Sequence, residues 1–264
     1  MKDTSPNPGP NYSQAQTPAA LLANFAAVQA RIDAACARVG RDPAEVQLLP
    51  VSKTIDHERL RWAYAAGCRC LGENKAQELA AKQQRLTELA DLRWIAIGHL
   101  QTNKAKLVAQ HASAFHALDS LRLAEVLQQR LAMLDRQLDV LVQVNTSGEP
   151  SKYGLAPDQL ADFLATLPRF DRLRVGGLMT LAVQSPNPQQ VRGCFSLLRQ
   201  LRATLRPHQP ATIRLDTLSM GMSGDFELAI EEGATQVRVG QALFGARALP
   251  HQHYWPDQPA PHSN

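Results

Sequence analysis

Short apolar or β-branched runs alternate along this chain with longer stretches of helical spacing. Eight runs stand out: Val46–Ser52, Arg69–Gly72, Arg93–Gly98, Phe115–Leu118, Val140–Asn145, Val175–Met179, Leu215–Ser219 and Val237–Gly240. Helical patterns separate them, for example Asp56–Ala66, Ser120–Leu134 and Gln189–Leu205. Strand-type runs that alternate with helices indicate βαβ units around a parallel sheet. Eight such units within 264 residues fit a single (β/α)₈ barrel better than an open sheet. Ahead of the first run, Leu21, Phe25, Val28, Ile32, Ala35 and Val39 recur at steps of three and four, and the pattern continues past Arg31 and Asp33. The uncharged segment 19–30 therefore reads as part of an extra N-terminal amphipathic helix rather than as a signal-peptide core. No Pro/Gly/Ser-rich linker divides the middle of the chain, which predicts one domain over residues 19–249. Residues 1–18 and 250–264 are poor in packing residues and are expected to be flexible tails.

Composition narrows the class without changing this picture. A hydrophobic share of 44% with 20% charged residues is ordinary for a globular protein and disfavours disorder, collagen-like repeats and coiled coil. The net charge of +4 is spread over 28 basic and 24 acidic residues with no run of five like charges, so nucleic acid is not an expected partner. No stretch of 18 apolar residues is present, and no membrane span is expected. Cys36, Cys68, Cys70 and Cys194 are too scattered to staple the chain. They read as buried thiols of a reducing, cytoplasmic compartment. Cys68 and Cys70 lack neighbours to complete a metal site, so no metal is predicted.

In a (β/α)₈ barrel, chemistry gathers at the C-terminal ends of the strands. That rule selects Lys53, Glu73 with Asn74, His99, Asp119, Asn145, Met179 with Thr180, the segment 219–223, and Arg238 with Gly240. Lys53 leaves an apolar strand, where burial lowers an amine pKa and makes it nucleophilic; the alternative is a solvated loop lysine. The segment Leu218-Ser219-Met220-Gly221-Met222-Ser223-Gly224-Asp225 enters a helix beginning with Asp225 and Glu227, and its small residues suit a phosphate cradle. A second such turn, Arg238-Val239-Gly240-Gln241, follows the eighth run, and barrels often bind phosphate after strands seven and eight. Arg238 lies one pleat before Gly240, so both face the barrel mouth. It either meets a ring nitrogen of a phosphorylated cofactor or neutralises a carboxylate such as Asp216 or Glu227. His99 and Asn145 read equally well as hydrogen-bond partners at the mouth, and Met179 as core.

Several stretches carry a family resemblance: Leu49-Pro50-Val51-Ser52-Lys53-Thr54, Gly72-Glu73-Asn74, Ile97-Gly98-His99-Leu100-Gln101-Thr102-Asn103-Lys104, Asp119-Ser120, Gly177-Leu178-Met179-Thr180, the segment 218–223 and Arg238-Val239-Gly240. In these motifs the chain, over roughly residues 19 to 247, resembles the pyridoxal 5′-phosphate (PLP) homeostasis proteins, single-domain relatives of the alanine racemase barrel. The resemblance implies that Lys53 holds the PLP aldehyde as a Schiff base. It also implies that Ser219, Gly221, Met222, Ser223 and Gly240 bind the phosphate and that Arg238 faces the pyridine nitrogen. Asn74 and His99 would line the ring, and Asn145 and Met179 complete the expected cofactor-binding set. Gln241 stands where relatives often carry Thr, and the two tails have no counterpart in the family pattern.

The expected function is that of a monomeric carrier, which binds, buffers and delivers PLP in vitamin B6 and amino-acid homeostasis, with PLP-dependent apo-enzymes as candidate recipients. Racemisation needs a second base, which in the racemases is a tyrosine of a C-terminal β-domain. Only 16 residues follow Ala248 here, with Tyr254 their single tyrosine, so no catalytic residue is expected. Two other readings are an amino-acid racemase and a Schiff-base aldolase that uses Lys53 and the phosphate cradle without a cofactor.

Overall fold

The first helix, α1 (Pro18–Arg38), starts where its sequence supplies a cap: the Thr17 hydroxyl accepts the Ala20 N–H at 3.2 Å, and Pro18 occupies the first turn. In this computed structural model, which describes residues 14–245, Leu21, Val28, Ile32, Ala35 and Cys36 form its buried face. Phe25 meets Phe244 edge-on, with ring centroids 6.4 Å apart. Val39, expected on the same stripe, lies past the helix end and is exposed. Ala15, within the expected N-terminal tail, is buried and its N–H reaches Phe244 O. The rest of the two expected tails, residues 1–13 and 250–264, lies outside the described residues.

The strands are β1 (Gln47–Pro50), β2 (Cys70–Glu73), β3 (Arg93–Ala96), β4 (Ala114–Leu118), β5 (Leu138–Gln143), β6 (Leu173–Met179), β7 (Ile213–Ser219) and β8 (Gln236–Val239). Between and after them run α2 (His57–Ala65), α3 (Ala76–Arg85), α4 (Ala105–His111), α5 (Leu121–Met133), α6 (Leu160–Thr166), α7 (Pro188–Leu205), α8 (Phe226–Glu231) and α9 (Gln241–Phe244). All eight strands are parallel, in the order β1-β8-β7-β6-β5-β4-β3-β2. A bridge between Val51 and Gly72 joins the two ends, so the sheet closes as a (β/α)₈ barrel with an added N-terminal helix. Each expected run overlaps a strand, with ends that differ by at most two residues. The first run extends to Ser52 in sequence, yet β1 stops at Pro50 because the chain there turns from β8 toward β2 at the seam.

Polar residues set the helix starts: Asp56 and Ser120 accept the backbone N–H groups of Arg59 and Leu123. The main core fills the space around the sheet and under the helices, with Phe115, Phe195, Phe226 and Phe244 fully buried. Inside the barrel, Leu49, Ile95 and Ala114 form a small separate cluster. The rest of the interior includes buried polar groups. Gln143, Met179, Ser219, Gln236 and Gln47 stand at paired register positions on successive strands and so share one face of the sheet. Ser219 donates to Gln236 and Gln236 donates to Gln47, each at 2.9 Å. This polar layer supports what lies one pleat higher.

Candidate functional site

Arg238 occupies that next position, 3% exposed. Its guanidinium donates to Ser219 Oγ at 2.9 Å and to the Thr180 carbonyl at 2.8 Å. No ion pair to it exists among the described residues, and the two carboxylates considered from sequence are engaged elsewhere. Asp216 pairs with Arg206 and Arg214, at 2.6 and 2.7 Å, and Glu227 pairs with Arg31 at 3.1 Å. Burial pushes the Arg238 pKa down to about 10, an effect that the charge of Asp225 partly offsets. His116 is buried with Nδ1 unpartnered; burial and then the Arg238 charge push its pKa down to about 3, so it is neutral. Position alone did not single out His116, because it sits inside a strand rather than at its end.

The two turns expected to hold phosphate are joined to one another. Ser223 Oγ accepts the N–H groups of Gly240 and Ala242, each at 3.3 Å. Gly221 has φ +91, and a Cβ there would lie 2.6 Å from Ala229 Cβ and 2.8 Å from Phe226 Cα, so the turn is pressed onto α8. Asp225 precedes α8 rather than starting it, and its Oδ1 accepts the Met222 N–H at 2.5 Å. Met222 is at the rim, while Ser219 points inward to support Arg238. A Cβ on Gly240 would approach Val51 O at 3.1 Å. That glycine therefore also lets the end of β8 lie close to the end of β1.

Lys53, half-buried, follows β1 in a tight turn. Beneath the turn, Lys82 of α3 is buried and its ammonium lies 2.7 Å from each of Ser52 O, Glu73 Oε1 and Glu78 Oε1. Ser52 Oγ donates to Glu73 Oε1 at 2.5 Å, and the Thr54 N–H donates to Glu78 Oε1 at 2.6 Å. Burial raises the Glu73 pKa to about 7 against the opposing pull of Lys82, and Glu73 Oε2 has no partner. Asn74 follows Glu73 and is half-buried; its carbonyl would stand 2.2 Å from a Cβ on Gly98, so the β2 and β3 loops touch here.

His99 and Asn145 have separate tasks. His99 stacks on Tyr153, centroids 3.7 Å apart and planes 6° apart, with Nδ1 3.5 Å from Asp119 Oδ2. Asn145 donates to the carbonyls of Glu149 and Lys152 and accepts from Ser147, so it shapes the loop that carries Tyr153. Met179 is buried in the layer beside Ser219. Among the described residues no group of three metal-ligating side chains and no helix long and apolar enough to cross a membrane occurs.

The model for the alanine racemase N-terminal domain matches residues 23–248. The pyridoxal phosphate homeostasis protein of Pseudomonas aeruginosa is 45% identical over 228 residues, which are 86% of this chain and 96% of that protein. The chain belongs to the pyridoxal phosphate homeostasis protein family. The solved structure of Synechococcus elongatus PipY with PLP bound is similar at TM-score 0.76 and 36% identity, over 85% of this chain and all of PipY. An alanine racemase of Clostridium difficile, at 12% identity and TM-score 0.68, shares the fold alone. In this chain Lys53 lies on a clamped turn, the turns after β7 and β8 are joined, and Arg238 lies between those turns in sequence.

Proposed function

We propose that this protein binds PLP covalently through Lys53 and acts as a monomeric carrier, buffering the cofactor and delivering it to PLP-dependent apo-enzymes. The observation that carries the reading is Arg238, a buried cation with no carboxylate partner among the described residues. A buried charge is costly unless something pairs with it, and a ligand offering an anion or a lone pair at the strand ends supplies that partner. The donor set fits PLP, with an amine at β1, the guanidinium at β8, and the hydroxyl and backbone N–H groups of the joined turns after β7 and β8. When bound, PLP supplies an aldehyde, an electron-accepting ring and a phosphate.

Lys53 would hold the cofactor through its side-chain amine, the group to which the aldehyde is complementary. Gly221, Met222, Ser223 and Gly240 form the phosphate cradle in this reading, while Ser219, expected there as well, turns its hydroxyl inward to Gln236 and Arg238. Ser223 has a hydroxyl already at the junction of the two turns. Arg238, protonated at working pH, would donate to the ring nitrogen and so disfavour a proton there, which would weaken the ring as an electron sink and suit storage. His116, held neutral, adds no competing charge. Asn74 and His99 would line the ring, and Asn145 and Met179 would complete the set that holds the cofactor. The likeness to alanine racemase extends only to the fold and carries no argument for racemisation. Free, buried thiols such as Cys68, whose pKa burial pushes up to about 12, support a reducing, cytoplasmic setting.

The test is an absorbance spectrum of the protein loaded with PLP, before and after borohydride. A band near the visible edge that borohydride abolishes, with the label on Lys53 and no band in Lys53→Ala, is expected. A persistent band in Lys53→Ala overturns the assignment.

A further inference from the structure

Thr54 is a β-branched residue at φ +67, a conformation such side chains rarely adopt and that survives only where the surroundings enforce it. The enforcing groups come from one helix. Glu78, at the first turn of α3, accepts the Thr54 N–H at 2.6 Å. Lys82, one turn further on, places its ammonium 2.7 Å from the Ser52 carbonyl and 2.7 Å from Glu78 Oε1. The backbone is thus gripped on both sides of Lys53, by a cation on the residue before it and a carboxylate on the residue after it. Lys82 has all three donors in use, the third on Glu73 Oε1, itself held by Ser52 Oγ. A buried lysine spent entirely on three acceptors under one turn is an expensive arrangement for packing alone, since an apolar side chain would fill the same space without desolvating a charge.

The geometry points to Glu78 and Lys82 as positioning residues that hold the strained turn at Thr54 and so aim the Lys53 amine into the barrel mouth. The inference rests on Lys53 being the amine that takes the cofactor. Neither residue touches the cofactor in this account; both act through the backbone of Ser52 and Thr54.

The experiment compares the wild type with Glu78→Ala, Glu78→Gln and Lys82→Met as full chains. In the absence of cofactor, hydrogen exchange of the Thr54 amide is followed by NMR. With PLP added, the borohydride-trapped bond at Lys53 is followed in time by peptide mapping, and total bound PLP is measured in parallel. In Glu78→Ala and Lys82→Met the Thr54 amide should exchange about 10- to 100-fold faster, the loss of a hydrogen bond to a charged acceptor. Trapping at Lys53 should slow at least about tenfold, as misaimed reacting groups do, while total bound PLP changes little. Glu78→Gln keeps an acceptor at the same place and should restore most of both, which a loss of folding stability would not explain; it also serves if Lys82→Met fails to fold. Unchanged Thr54 exchange in Glu78→Ala, or faster exchange with unchanged trapping at Lys53, overturns the positioning role and leaves Lys53 as the cofactor amine. If the wild type itself traps no cofactor at Lys53, that assignment fails and the positioning role falls with it, even where Thr54 exchange still reports the clamp.

Discussion

Replacing Arg238 with Met separates a ligand-binding arginine from a structural one, because the two roles place the cost of the change in different measurements. Keeping the guanidinium charged inside the barrel holds its pKa at about 10 against an ordinary 12.5. At about 1.4 kcal/mol per pK unit that difference is a penalty of about 3 kcal/mol. The folded state binds fewer protons than the unfolded chain between pH 10 and 12.5, so stability rises with pH across that window and the full penalty stands at neutral pH. Opposing it are the two hydrogen bonds to Ser219 Oγ and the Thr180 carbonyl, each worth about 1.5–3 kcal/mol for a charged donor. Ser219 keeps its bond to Gln236 when the arginine is gone. The two bonds together, about 3–6 kcal/mol, offset the penalty, so Arg238→Met should change the stability of the cofactor-free protein by no more than about 3 kcal/mol, read as a melting shift of roughly 6–12 °C or less. Affinity for PLP should fall about 10- to 100-fold, the loss of one charge-assisted hydrogen bond, measured by spectroscopic titration. A cofactor-free variant destabilised by more than about 5 kcal/mol, with unchanged PLP affinity in its folded fraction, would refute the reasoning and make Arg238 part of the barrel's internal framework.

Gly221→Ala combines a left-handed backbone with a Cβ 2.6 Å from Ala229 Cβ and should cost about 2–5 kcal/mol. Gly148→Ala, at φ +71 with nothing within 4 Å, should cost only about 1 kcal/mol. Equal losses in urea unfolding would show that close packing onto α8 is not what requires Gly221. The Glu73 carboxyl has its pKa raised by burial from 4.5 to about 7. Its protonated form is favoured by folding, so its contribution is complete below pH 4.5 and is lost as pH rises through 7, by up to about 3 kcal/mol. Glu73→Gln should flatten that slope in unfolding curves taken from pH 5 to 8, and an unaltered slope would assign it to other groups.

How much of this was legible beforehand depends on whether the signal was local. The alternation of apolar runs with 3.6-residue periodicity is a property of neighbouring residues, and it located all eight strands and hence the barrel. The helical patterns starting at Asp56 and Ser120 are equally local, and each of these side chains accepts the backbone N–H three residues on. The rule that strand ends line the mouth then brought Lys53, the two turns and Arg238 into view, because it needs only the position of each strand's end. The partner of Arg238 was a matter of tertiary structure: Asp216 and Glu227 are plausible by sequence distance, yet each is held by arginines elsewhere, at Arg206, Arg214 and Arg31. His99 gave no hint that Tyr153 would stack on it, because those residues meet only across two loops. Lys82 was invisible for a further reason. It lies on a helix rich in polar residues, where a lysine is ordinarily solvated, and only closure of the barrel at the seam between β1 and β2 brings α3 under the turn that carries Lys53. Burial of a charge is decided by what surrounds it in space, and no pattern of neighbours along the chain records that.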